Sequence, residues 1–204
     1  MNYAEASALQ VEQPLIVGIG GTTRAGSSTE LALRATLLAC ERLGARTRIF
    51  GGADLLALPY YVPEDKTRTE KQIALVEAVR EADGIVLASP GYHGGISALV
   101  KNALDLLEDL RDDTRVYFDG RPVGCVVTAA GWQGCNTTLG ALRSVAHAMR
   151  GWPTPIGATF NTVETKLFAS DGSCQVESAS RTFNLVAQQL VTFARAMRSA
   201  PAWA

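Results

Sequence analysis

The chain is expected to form a doubly wound α/β fold, and three observations in its 204 residues predict it. Short β-branched runs alternate with amphipathic segments, most of those runs are apolar without interruption, and glycine gathers directly after three of them. Uninterrupted apolar runs suit strands covered on both faces, as in a parallel sheet, and alternation with helices supplies the cover. The first strand is expected at 15–19 (Leu15-Ile16-Val17-Gly18-Ile19), followed by a helix with Leu31, Ala35 and Leu38 on one face. A more polar run at 47–50 reads as an edge strand, and Ile73, Val76 and Val79 mark the next helix. The third strand, 85–88, leads to a helix carrying Leu99, Ala103, Leu106 and Leu110. The fourth, 123–127, leads to Leu139, Leu142, Ala146 and Met149. A weaker fifth run at 156–160 precedes a closing helix with Phe183, Ala187, Leu190, Ala194 and Met197. Each set keeps the three- and four-residue spacing of one helix face.

Composition narrows the partners. The chain is 47% hydrophobic and 19% charged, with 19 Lys and Arg against 20 Asp and Glu. That size and balance fit one domain, expected over 14–199, with a loosely ordered arm at 1–13 and a short tail at 200–204. A net charge of −1 offers no footprint for nucleic acid or an anionic membrane. The longest uncharged stretch, Pro122 to Leu142, holds four glycines, Gln133, Asn136 and three threonines. It reads as strand, loop and helix start rather than a membrane span. No basic region followed by an apolar run opens the chain, so a cytoplasmic protein is expected. Cysteines 40, 125, 135 and 174 form no C-x-x-C pair and are expected to be free.

In such a sheet, ligands bind beyond the carboxyl ends of the strands, and nine of the 19 glycines cluster there, at 18–26, 91–95 and 131–134. The first cluster continues as Thr22-Thr23-Arg24-Ala25-Gly26-Ser27-Ser28-Thr29. A helix start with hydroxyls and a guanidinium is suited to an anion such as phosphate. The same residues also fit a plain helix start, with Ser27 and Glu30 as a capping box. Ser27 stands where a Walker A loop needs lysine, and Thr23 where the dinucleotide fingerprint needs its third glycine, so neither motif is present.

The second cluster, Ser89-Pro90-Gly91-Tyr92-His93-Gly94-Gly95, offers backbone groups and an aromatic ring that suit a planar heterocycle. A tight turn without a ligand would use the same residues. Without a G-x-S-x-G elbow, His93-Gly94-Gly95 does not read as an esterase oxyanion loop. His93 and His147 lie far apart, so no metal site is expected. In the third cluster, Gly131-Trp132, the tryptophan can wall a pocket, or equally seal core or a subunit contact.

Over about residues 14–165 the sequence resembles the NAD(P)H-dependent FMN reductases, a flavodoxin-like family. Its signature G-S-x-R-x-x-S-x-[NT] is met by Gly21, Thr22 in place of serine, Arg24, Ser27 and Thr29. Its second signature, S-P-x-Y-x-G-S-x-x-x-x-L-K-N-A-L-D, is met by Ser89, Pro90, Tyr92, Gly94, Lys101, Asn102, Ala103, Leu104 and Asp105. Gly95 and Val100 replace a serine and a leucine, and Gly91 and His93 stand where the family often has Glu and Asn. The resemblance implies a three-layer, flavodoxin-like fold with a five-stranded parallel sheet in the order 2-1-3-4-5. It also implies FMN bound without a covalent bond, with NAD(P)H as hydride donor. Thr22, Arg24, Ser27, Thr29 and Ser28 would hold the phosphate, and Pro90, Gly91, Tyr92, His93, Gly131 and Trp132 would line the ring. A homodimer or homotetramer is implied as well.

Flavin supplies the redox chemistry, so no catalytic side chain is named. The leading expectation is a flavin reductase supplying reduced FMN to a flavin-dependent monooxygenase. The alternatives are an FMN enzyme reducing a small-molecule electron acceptor (a quinone, azo dye, nitro compound or metal oxyanion) and a biosynthetic flavoprotein in which Cys135 reacts. A flavodoxin-like carrier docks through a strongly acidic surface, which a net charge of −1 does not supply.

Overall fold

The computed structural model describes residues 13–199. The expected tail, and the expected arm apart from Gln13, lie outside the described residues. Strand β1 (Leu15–Gly20) sits between β2 (Arg46–Phe50) and β3 (Gly84–Tyr92), and β5 (Pro122–Ala129) pairs with the far side of β3, all in parallel. On the outer edge of β5, β6 (Trp152–Pro153) pairs with its start and β7 (Ala158–Asn161) with its end. The fifth strand is therefore split, and its second piece, β7, begins two residues later than the expected run at 156–160. Arg143 donates to the carbonyls of Thr154 and Pro155 in the break, and the Gln189 side chain accepts from Ile156 N–H, so side chains stand in for the missing ladder partners of these three groups. A two-residue β4 (Gly95–Ile96) folds back on β3. Setting these additions aside, the order is the expected 2-1-3-4-5.

Every residue of β1 and β5 is buried, whereas β2 alternates, as an edge strand should. One face of the sheet packs on α1 (Ser28–Arg42) and α6 (Glu177–Ser199), the other on α3 (Glu70–Glu81), α4 (Ala98–Leu106) with the 3-10 turn Leu107–Leu110, and α5 (Trp132–Ala148). The expected stripes on α4, α5 and α6 pack on the sheet except for Met197, and Val100, Leu104, Cys135, Val186 and Val191 are buried beside them. On α1 the buried arc is Ala32, Leu33, Thr36, Leu37 and Cys40, and Leu38 is exposed, which corrects the expected face. Thr36 can join this arc because its hydroxyl donates to Ala32 O, leaving no polar atom unpaired. On α3, Ile73 is likewise exposed, and Leu75 and Ala78 join Val76 and Val79 inside. A short helix, α2 (Gly52–Leu56), was not anticipated. Among the described residues no helix is long and apolar enough to cross a membrane.

At the amino ends of the strands, Arg121 is fully buried. Its guanidinium donates to the carbonyls of Ala82 and Arg80, at the end of α3, and of Tyr117. Beside it, Asp83 accepts from Leu15 N–H and from Arg198. These contacts fix the strand register at the end of the sheet opposite the glycine loops.

Candidate functional site

All eleven residues expected to form a site lie at the carboxyl end of β3, on the loops that follow β1, β3 and β5, or in the first turn of the helix after such a loop. Parallel pairing puts these ends side by side, with Gly20 opposite Ala88 and Pro90 opposite Thr128.

The first loop ends in α1. The Ser27 side chain, buried in the turn, accepts from Glu30 N–H at 3.3 Å and caps the helix. Among the described residues, no acceptor faces the N–H groups of Ser28 and Thr29, the next two orphan donors of the helix start. Thr22 Oγ1 accepts from Arg24 N–H at 3.1 Å and fixes the loop tip, while the exposed Arg24 guanidinium makes no ion pair among the described residues. Thr29 differs from the others. Its buried hydroxyl lies 2.6 Å from that of Thr128, the penultimate residue of β5, and ties the first loop to the third. Its side chain therefore braces the site, and only its N–H faces outward.

A fourth element backs this loop. The turn Gly51-Gly52 after β2 touches it backbone to backbone: a Cβ on Gly52 would sit 1.8 Å from Thr22 O, and one on Gly21 2.7 Å from Gly52 N. The doublet stands directly after an expected strand, so the letters carried a signal that the reading of three clusters passed over. Thr128 and Thr138 carried none, because isolated hydroxyls look the same wherever they point.

The second loop is a hairpin. Gly91 and Tyr92 pair with Ile96 and Gly95, leaving His93 (φ 52) and Gly94 (φ 79) as a two-residue turn of type I′. The buried Ser89 hydroxyl closes its base, donating to Pro90 O and accepting from Ser97 N–H. Ser97 in turn caps α4. The hairpin leans on α5: Thr138 donates to Gly95 O, and a Cβ on Gly91 would lie 2.9 Å from both Gly134 O and Thr138 Oγ1. A glutamate at 91, common in the family, would have no room here. Histidine at 93 is tolerated because it adopts the left-handed conformation more readily than most residues. His93→Asn is expected to melt at or slightly above wild type, and His93→Val to lose about 1–2 kcal/mol, the cost of forcing a branched residue left-handed. Thermal unfolding monitored by circular dichroism checks the pair.

In the third loop, Gly131 (φ 135) turns the chain into α5, whose first residue is Trp132, half exposed. Tyr92, also half exposed, stands on the hairpin that leans on the same helix. Cys135 is buried, and burial raises its thiol above the ordinary value, so it packs as a neutral side chain. His147 is an exposed residue of the last turn of α5. The rest of the second signature is structural: Asn102 accepts from Tyr61 N–H and donates to Pro59 O, pinning the loop after α2, and Lys101 pairs with Asp105 on the surface.

Residues 14–164 match the family model described as NADPH-dependent FMN reductase. An FMN-dependent NADPH-azoreductase from Staphylococcus saprophyticus is 36% identical over 57% of this chain and 58% of its own. An iron-sulfur flavoprotein from Archaeoglobus fulgidus is 31% identical over 57% of this chain and 62% of its own. The chain thus spans about three-fifths of these relatives. Among solved structures, an apo NADH:FMN oxidoreductase superposes with a TM-score of 0.67 at 18% identity over 93% of each chain. A WrbA-like flavodoxin from Agrobacterium tumefaciens gives 0.62 at 18% identity, covering 91% of this chain and 99% of that one. At such identities these two establish likeness of fold.

Proposed function

Because the chain belongs to the NADPH-dependent FMN reductase family, we propose that it is an NAD(P)H-dependent flavin oxidoreductase that holds FMN across the three strand-end loops. The observation that carries the reading is the donor set of the first loop. Two unpaired helix-start N–H groups and an exposed arginine that makes no ion pair among the described residues lie on one turn, whose tip is held by the half-buried Thr22 hydroxyl donating to Arg24 O. Backbone N–H groups at a helix start and a nearby guanidinium suit a phosphate dianion in charge. Beyond Gly26 and Gly131 the space is open, with no heavy atom within 4 Å of where a Cβ would stand, so a ligand can approach the backbone at both ends. Tyr92 and Trp132 supply the flat surfaces a ring needs. Bound there, FMN supplies hydride-accepting chemistry that protein side chains lack. The chain's own residues would bind, orient and shield it: Thr22, Arg24, Ser27, Ser28 and the Thr29 N–H at the phosphate, and the hairpin with Pro90, Gly91, Tyr92 and His93, together with Gly131 and Trp132, at the ring.

Anaerobic mixing of FMN-loaded protein with NADPH or NADH tests the activity. Bleaching of the visible flavin band supports it, and an unchanged spectrum with both nucleotides refutes it. Delivery of reduced flavin to a monooxygenase remains one reading of the acceptor. Direct reduction of a small aromatic acceptor is favoured by the azoreductase names among the relatives. Retention of flavin through dialysis would support the second reading.

Arg24→Ala separates phosphate binding from ring binding. Loss of one charge-assisted contact at an exposed site should weaken FMN about tenfold. Riboflavin, which has no phosphate, should bind the variant as it binds the wild type. Titration of flavin fluorescence measures both, and an equal loss for the two flavins would place Arg24 elsewhere.

A further inference from the structure

The third loop carries a contact that its sequence gives no hint of. The Trp132 indole N–H donates to Glu164 Oε2 at 2.9 Å, across 32 residues of chain. Both side chains are exposed, Trp132 by 50%. A large ring that open to solvent ordinarily samples several rotamers, and here an acceptor holds its polar edge. The acceptor's own place is set by backbone. Residues 161–165 turn directly after β7, with Val163 N–H on Asn161 Oδ1 and Thr165 N–H on Asn161 O. Thr162 then donates through both its N–H and its hydroxyl to Ala129 O, at the last residue of β5. The turn carrying Glu164 is thereby fastened to the strand end from which the third loop departs. On the loop side, a Cβ at Gly131 would meet no heavy atom within 4 Å.

We propose that Glu164 is a positioning residue that holds the Trp132 indole as a fixed wall of the ring site and so sets how well flat aromatic acceptors stack there. The proposal rests on the flavin reading above. Glu164 acts through its hydrogen bond to the indole and does not touch the reacting atoms. An indole N–H can only donate, so a side-chain carbonyl oxygen at 164 is the necessary complement. Glutamine therefore preserves the contact and alanine removes it.

The test compares wild type with Glu164→Ala, Glu164→Gln, Trp132→Phe and the double variant Trp132→Phe/Glu164→Ala. Each is loaded with FMN and assayed with NADPH against two acceptors, a planar azo dye and ferricyanide, which does not stack. Glu164→Ala should raise KM for the dye about fivefold to tenfold, the size of one aromatic contact. It should leave KM for ferricyanide unchanged and kcat for the dye within about twofold. Glu164→Gln should stay near wild type, and Glu164→Ala should add nothing once Trp132 is phenylalanine. Iodide quenching of tryptophan emission should rise in Glu164→Ala and not in Glu164→Gln. The proposal is overturned by an unchanged dye KM in Glu164→Ala, by an equal change for both acceptors, or by the same loss in the Trp132→Phe background. Failure of wild type to bind FMN would sink the flavin reading, and the proposal with it. FMN binding with no effect at 164 would sink the proposal alone.

Discussion

Arg121→Met is expected to destabilise the fold by about 3 kcal/mol, with the melting temperature falling by about 6–12 °C. The reason lies in what the guanidinium satisfies. Arg121 is fully buried and pairs with no carboxylate among the described residues; its three hydrogen bonds go to the carbonyls of Arg80, Ala82 and Tyr117. Two of those carbonyls end α3, where the helix dipole concentrates partial negative charge, so a cation there is favourable. Burial pulls the guanidinium down to about 9, which still leaves it charged at pH 7. Methionine fills the space of the aliphatic stem, but it donates nothing. The carbonyls of Arg80 and Tyr117 would be left without this donor inside the protein, while Ala82 O keeps a second donor in Arg115. Each orphaned carbonyl costs about 1–3 kcal/mol, and relief from burying a charge offsets part of the sum. Lysine would keep the charge but not the planar fork, and should recover only part of the loss. Urea unfolding read as a midpoint shift at constant slope checks both variants. A methionine variant within about 1 kcal/mol of wild type would show that water reaches these carbonyls.

The sequence made the sheet legible because strands buried on both faces have to be apolar throughout: β1, β3 and β5 each stand out as a run. The fifth strand was half legible. Trp152-Pro153 and Ala158–Asn161 are separated by a break whose polar groups are paired by Arg143 and Gln189, and no local pattern announces such side-chain substitutes. The face of α1 was misjudged because spacing alone does not separate Leu37 from Leu38, and the arc that turns inward includes a threonine that bonds to its own helix. At the candidate site the loops were legible through glycine, whereas their mutual bracing was not. Thr29 with Thr128, Ser89 with Ser97, and Trp132 with Glu164 are pairings between distant positions, and only the folded chain brings their members together.

Gly52→Ala is expected to weaken FMN binding at least about a hundredfold while the sheet stays folded, because a displacement of about 1 Å in a binding loop is enough for a loss of that size. The added Cβ would stand 1.8 Å from Thr22 O and 2.9 Å from Thr22 C, so backbone must move rather than a flexible side chain. Gly52 cannot retreat easily. It opens α2, and Gly51 N–H before it is held by Asp54 Oδ2 at 2.9 Å. The first loop yields instead, and Thr22 is the residue whose hydroxyl fixes Arg24. Displacing the Thr22 carbonyl thus moves two of the proposed phosphate ligands together. Sheet stability should change much less, since the Thr29–Thr128 bond and the pairing of β1 with β3 lie on the other side of the loop. Gly140→Ala is the control: it lies within α5 with nothing within 4 Å, and alanine there should leave flavin affinity unchanged and raise stability by about 0.5–1 kcal/mol. Flavin fluorescence titration and thermal unfolding of both variants separate the two effects. Wild-type affinity in a folded Gly52→Ala protein would mean that the turn after β2 does not shape the anion cradle. Loss of FMN and riboflavin in equal measure would move the damage from the phosphate end to the ring.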